Sequence, residues 1–237
     1  MTLKPTVRLH LYFASENASA VVLRQGPKKL NRLILWNRDT DEFVDGQWLK
    51  HAVYPERCDL SPDGRYFLYF ALNGKWSSDT KGSYTALSAP PFFTALSLFP
   101  VGDTWAGGGA FVNNAYFLAD GEKDILNHTT KPQRIVQKEF GKSHSTIFVE
   151  HRTGQPAKVG KARIKAAVAK RQNLPDVPTD YLAKGSKLFR ITDGTETLIR
   201  DFEDMSFEPI EAPYDQRPID QSKPHPSNWH PLDEANR

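Results

Sequence analysis

The chain has 237 residues with a formal net charge of +3, 39% hydrophobic and 25% charged residues, 17 Pro, 15 Gly and a single Cys. That balance excludes collagen-like, coiled-coil and wholly disordered chains, and so slight a charge gives no global reason to expect a nucleic-acid or membrane partner. The lone Cys58 forms no internal disulfide, which fits a reducing cytosol.

Aromatic residues at 11%, with the many Pro and Gly, suit short strands joined by turns better than a helical bundle. Behind Lys4 and Arg8, the apolar run at 9–14 precedes Ala18-Ser19-Ala20, which mimics a signal-peptidase site. With about six residues and His10 inside it, the run is shorter than the ~7–15 of a secretory core. No run approaches the ~20 apolar residues of a membrane span, so a cytoplasmic protein without membrane contact is expected.

Residues 7–13 alternate, Val7, Leu9, Leu11 and Phe13 against Arg8, His10 and Tyr12, and predict a half-buried strand. A second strand at 20–23 is followed by the turn residues Gly26-Pro27-Lys28-Lys29, and strands at 33–36 and 43–48 flank the acidic turn 37–41. Residues 58–72 predict another hairpin. Pro62 presets φ, Asp63 caps the turn and Gly64 supplies positive φ, while the returning strand 66–72 is too apolar to have a wet face and should be central. A polar loop around Trp76 and the pair Pro90-Pro91 lead to 92–99, which reads equally as short helix or buried strand. Strands follow at 110–112, 116–118, 134–140 and 146–150, with Asn113-Asn114 turning the chain between the first two.

Residues 156–173 predict one basic helix, rich in Ala, with Pro156 near its start. Lys158, Lys161 and Lys165 share one face, and Ile164 and Val168 form an apolar pair. A last hairpin turns at Asp193-Gly194. The expected organisation is a single β-rich domain over 1–205 and an extended proline-rich tail over 206–237 packed on the body, with Trp229 as a pin.

The unit Leu60-Ser61-Pro62-Asp63-Gly64-Arg65 with its following strand resembles part of a WD40-like or TolB-type propeller blade. At ~40–50 residues per blade the chain holds at most about five. The stretches 36–41, 46–48, 57–64 (Arg-Cys-Asp-Leu-Ser-Pro-Asp-Gly), 104–109 (Thr-Trp-Ala-Gly-Gly-Gly), 201–209 and 212–214 resemble an uncharacterised family of bacterial proteins, a likeness that covers most of 20–215. It implies no activity, and the basic helix is its least typical part.

Several chemistries are weighed against plainer roles. Gly107, Gly108 and Gly109 offer amides to an anion or oxyanion, or simply a tight turn. Residues 141–143 read Gly-Lys-Ser, but Val136 stands where a phosphate loop needs its first glycine. Cys58 between Arg57 and Asp59 is either an activated thiol or a small buried residue. His225 and His230 are kept by Pro226 and Pro231 from the helix that a zinc-protease pair needs, and residues 39–42 depart from a calcium loop, so no metal or other cofactor is expected.

The leading expectation is a non-catalytic protein of consecutive antiparallel hairpins, propeller-like or a compact multi-sheet relative, that recognises another protein through a loop face. That face would carry Trp48, Trp76 and Trp105 with Arg57. The alternative is an enzyme, a hydrolase, with a cleft near Arg57, Asp59, Asp103 and Gly107, Gly108 and Gly109. A further alternative is a nucleic-acid contact through Lys158, Lys161 and Lys165.

Overall fold

The computed structural model describes residues 7–140, 145–171 and 173–215; for 139, 140, 145 and 146 the backbone alone is described. Four sheets form, each from one continuous stretch of chain. The first is a meander of β1 (Arg8–Phe13), β2 (Ser19–Gln25), β3 (Asn31–Asn37) and β4 (Glu42–Leu49). The second holds β5 (Ala52–Val53), β6 (Asp59–Leu60), β7 (Phe67–Leu72), β8 (Ser83–Ser88) and β9 (Ala95–Pro100), with β5 and β6 both paired to β7. Residues 95–100 are therefore buried strand rather than helix.

The third sheet is β10 (Gly109–Phe111), β11 (Tyr116–Ala119), β12 (Gln133–Phe140) and β13 (Ser145–Glu150), in which β11 and β12 run parallel. After helix α1 (Lys161–Lys170) come β14 (Tyr181–Lys184), β15 (Lys187–Thr192) and β16 (Thr195–Asp201). Asp193 and Gly194 both take positive φ, 50° and 76°, the geometry of the two-residue turn that suits strand twist.

The sheets stack face to face in series. Leu11, Val22, Ile34 and Trp36 of the first sheet pack against Leu188 of the last and Phe202 just beyond it. Its other face, with Tyr12, Val21, Leu23 and Leu33, meets Phe67, Tyr69, Tyr84 and Leu98 of the second. Leu68, Leu87 and Phe99 then meet Phe111 and Phe117 of the third, whose far face is covered by Ile164 and Ala167 of α1. Across the four sheets β14, β1, β6 and β10 neighbour one another in that order, with α1 beside β10. This is a propeller-like arrangement of sheets with one helix inserted. Strand β7 is central and buried on both faces because every residue from Phe67 to Ala71 is apolar and has a sheet to meet on its side.

Two expectations change. Strand β1 is not half-exposed: Tyr12 is buried and its hydroxyl donates to Pro55 O at 2.8 Å, because a sheet covers each of its faces. The helix is shorter than 156–173. Pro156 bridges Val149, Ala157 N donates to Phe148 O at 2.9 Å, and Gly160 caps the helix, so Lys158 lies before α1 and off the face of Lys161 and Lys165. The buried pair is Ile164 with Ala167; Val168 is 51% exposed. Burying Ile164 contributes about 1.5–3 kcal/mol to holding the helix down.

Beyond β16, residues 202–215 run as a strap over the first two sheets. Arg24 Nε donates to Phe202 O at 2.6 Å and its Nη2 to Glu203 O at 3.0 Å. Arg32 pairs with Glu208, Gln47 Nε2 donates to Ile210 O at 2.7 Å, and Tyr214 OH donates to Thr94 O at 2.8 Å. The rest of the expected tail, with His225, Trp229 and His230, lies outside the described residues, as does the Gly-Lys-Ser run at 141–143.

Candidate functional site

The turn Pro55–Arg57 delivers Arg57 to the connection between β9 and β10. Its Nη1 donates to Thr104 O at 3.0 Å and Ala106 O at 2.6 Å, and the guanidinium lies 5.2 Å from the Tyr54 ring centre and 5.1 Å from that of Phe70. Asp103 shapes the same connection, since its Oδ1 accepts from Trp105 N at 2.8 Å and Ala106 N at 2.7 Å. Ser83 Oγ donates to Asp103 O at 2.6 Å and anchors it to β8.

The glycine run does fold back beside Arg57. Gly107 and Gly108 take φ of 104° and 88°, and a Cβ on Gly107 would stand 2.2 Å from the Phe70 ring, one on Gly108 2.6 Å from Arg57 O. A Cβ on Gly109, which opens β10, would meet Leu118 O at 2.2 Å. Gly108 N already donates to Thr85 Oγ1 at 2.9 Å. The residues are thus needed for close backbone approach at left-handed or crowded positions.

Asp59 is 2% exposed on β6. Its Oδ1 accepts from Leu60 N at 2.9 Å and from Lys170 Nζ at 2.5 Å, and its Oδ2 accepts from Phe111 N at 2.7 Å. One carboxylate therefore joins the second sheet, the third sheet and the end of α1. Burial pushes its carboxyl up, against the opposing pull of Lys170 and the two amides. Arg171, which follows Lys170 in sequence, pairs with Asp120, so the last two cations of the helix region are held by carboxylates of the β body.

Cys58 is buried, its Sγ donates to Tyr54 O at 3.2 Å, and burial pushes the thiol up to about 12. A thiol with that pKa is not a nucleophile at neutral pH. His51 is also buried and its Nδ1 lies 2.8 Å from Tyr84 OH.

Of the tryptophans, Trp105 is 87% and Trp76 54% exposed. Their loops are neighbours: Val101 N donates to Ser83 O at 2.9 Å, and a Cβ on Gly82 would touch the Trp76 ring at 2.3 Å. Trp48 does not join them. It is buried, with Arg24 and Arg32 at 5.5 Å and 5.0 Å from its ring and Phe207 of the strap against it. Arg24, Arg32 and Arg134, buried or half-buried cations on strands, escape sequence reading because nothing local distinguishes them from surface arginines. The only hint is parity, since Arg24 and Arg32 are direct cross-strand partners in the β2–β3 pair.

Among the described residues no group of three or more His, Cys, Asp or Glu is placed to hold a metal, and no helix is long and apolar enough to cross a membrane. No family model matches the chain, and no curated protein matches it. Among solved structures the chain is similar to the β-propeller domain of the Trilobed protease from Pyrococcus furiosus, described as having an open velcro topology. That likeness has 9% identity over 84% of this chain and 100% of the other, with a TM-score of 0.29.

Proposed function

We propose that the chain is a recognition module that binds another protein through the loop face around Trp105 and Trp76. The observation that supports this reading is Trp105, 87% exposed on a loop that is nevertheless braced from three sides, by Arg57, by the Asp103 turn and by Ser83. A large apolar side chain carried on a loop whose backbone is already fixed avoids the cost of ordering that loop on binding, which favours an interface anchor. The polar groups named for the alternative are engaged: Arg57 with carbonyls, Asp59 with Lys170 and two amides, Asp103 with its own turn.

The test is capture of a partner by the full chain, its purification, and measurement of Kd against wild type, Trp105→Ala and Trp76→Ala. A loss of about 30-fold or more for Trp105→Ala, the size of a hot-spot effect, supports the reading. Equal binding by the double variant sinks it. The hydrolase reading gains instead if the purified chain turns over a peptide, ester or phosphoester and Asp59→Asn abolishes that turnover while the protein stays folded.

A further inference from the structure

Between β1, β14 and the proline-containing loop 173–180 lies a half-open cavity of about 340 Å³. Its walls include Leu9 and Leu11 of β1, Leu174, Val177 and Pro178 of the loop, and Leu182 of β14. No Asp, Glu, Lys or Arg lines it among the described residues, and Leu174 and Val177 remain exposed while lining it. None of the residues named for protein recognition takes part.

Two sets of polar groups border this apolar wall. The first is backbone. Strand β1 is the edge of its sheet, and Ala14 N donates to Ser19 O at 2.9 Å. Hydrogen-bonded pairs alternate along an antiparallel ladder, so Arg8, His10 and Tyr12 bond to β2, and the N–H and C=O of Leu9 and Leu11 face the free edge. The second is His10, which also lines the cavity. Gln25 Nε2 donates to Val53 O at 2.8 Å, which leaves Gln25 Oε1 to accept from His10 Nε2 at 3.0 Å. Nε2 therefore carries the proton and Nδ1 the lone pair, which has no hydrogen-bond partner among the described residues. Burial holds this imidazole below its usual range, against the Gln25 bond that raises it, so the ring is neutral at neutral pH.

A cavity of this size is in the range of small-ligand sites, which combine an apolar lining with a few placed polar groups. The lack of ionic side chains sets the charge of the ligand, because a carboxylate, phosphate or ammonium buried here would have no opposite charge. The lone pair of His10 sets its hydrogen bond. We propose that this cavity binds a neutral, mainly apolar small molecule that donates one N–H or O–H to His10 Nδ1 and lays its apolar body against Leu9, Leu11, Val177 and Leu182. The edge groups of Leu9 and Leu11 are open to a second polar group of the same ligand.

The experiment titrates the full chain with N-phenylnaphthylamine, which is neutral and has a single N–H, and with anilinonaphthalene sulfonate, the same body bearing a sulfonate, both followed by fluorescence. Saturable binding of the neutral probe, about tenfold or more tighter than the sulfonate, is expected. Val177→Asp, on the exposed loop, should weaken it about tenfold or more without moving the melting temperature, because it puts a carboxylate on the apolar wall. His10→Phe, which keeps a ring and removes the lone pair, should weaken it about three- to tenfold, and Val177→Asp keeps the test readable if that variant folds poorly. Trp105→Ala should bind the neutral probe as wild type does. The proposal is overturned if the neutral probe does not saturate, if the sulfonate binds as tightly, if binding disappears with Trp105, or if either folded cavity variant keeps full affinity.

Discussion

Asp59→Ala would remove a carboxylate that accepts from Phe111 N of the neighbouring sheet and from Lys170 of α1. Orphaning the buried Phe111 N–H costs about 1–3 kcal/mol. Lys170 is 50% exposed, so its ion pair is screened and adds about 0–1 kcal/mol. Together about 1–4 kcal/mol is expected, a fall in melting temperature of about 2–16 °C for a chain of this length. Urea unfolding followed by tryptophan fluorescence, with Trp36 as a fully buried reporter, measures it. Asp59→Asn isolates the charge. Because burial raises the folded-state pKa above 3.8, the contribution from Asp59 protonation is fully present below 3.8 and lost as pH rises through the folded value. The cost of Asp59→Asn should therefore be largest in acid and shrink toward neutrality. A variant with Ala at 59 as stable as wild type, or more so, would refute the clamp and point instead to a carboxylate kept at a cost for chemistry.

Gly108→Ala should destabilise by more than about 2 kcal/mol in thermal melts, since the residue sits at φ +88° with Arg57 backbone 2.6 Å from the added carbon. Unchanged melting would mean that the Arg57 region yields freely. Cys58 should resist thiol labelling at pH 8 in the native protein and react once unfolded, given a thiol pushed up to about 12; rapid native labelling would contradict its buried role. Replacing Lys158, Lys161 and Lys165 by Glu tests the nucleic-acid alternative. A labelled duplex whose weak binding survives the triple substitution with its salt slope intact removes the helix as a contact, whereas a slope smaller by about 2–3 would support it.

Strands and turns were legible wherever chemistry is local. The Pro62-Asp63-Gly64 turn works as its residues suggest: Gly64 takes φ of 74°, and Asp63 Oδ1 accepts from Ser61 Oγ at 2.7 Å and Arg65 N at 3.2 Å. The all-apolar run before Leu72 announced a strand covered twice. What escaped was set by partners far along the chain. Alternation marks one buried face, so Tyr12 read as outward until a second sheet was found there. Pro156 suits a helix start by propensity, yet its bridge to Val149 keeps it extended. The role of Asp59 depends on Phe111 and Lys170, separated from it by 52 and 111 positions, and the burial of Trp48 depends on a strap from beyond β16. Arg57 and the glycine run share one candidate site in the sequence, and the geometry brings them into contact.

The strap also imposes an order in time. Arg24 and Arg32 belong to the first made of the four described sheets, but groups that they donate to, Phe202 O and the Glu208 carboxylate, are made 178 and 176 positions later. At about 5–20 residues per second that is a wait on the order of ten to thirty seconds. Until then the earliest sheet keeps two guanidiniums waiting for their mates. A chain broken off before residue 202 keeps them waiting for good, so truncated products should be recognised and cleared while full-length ones persist.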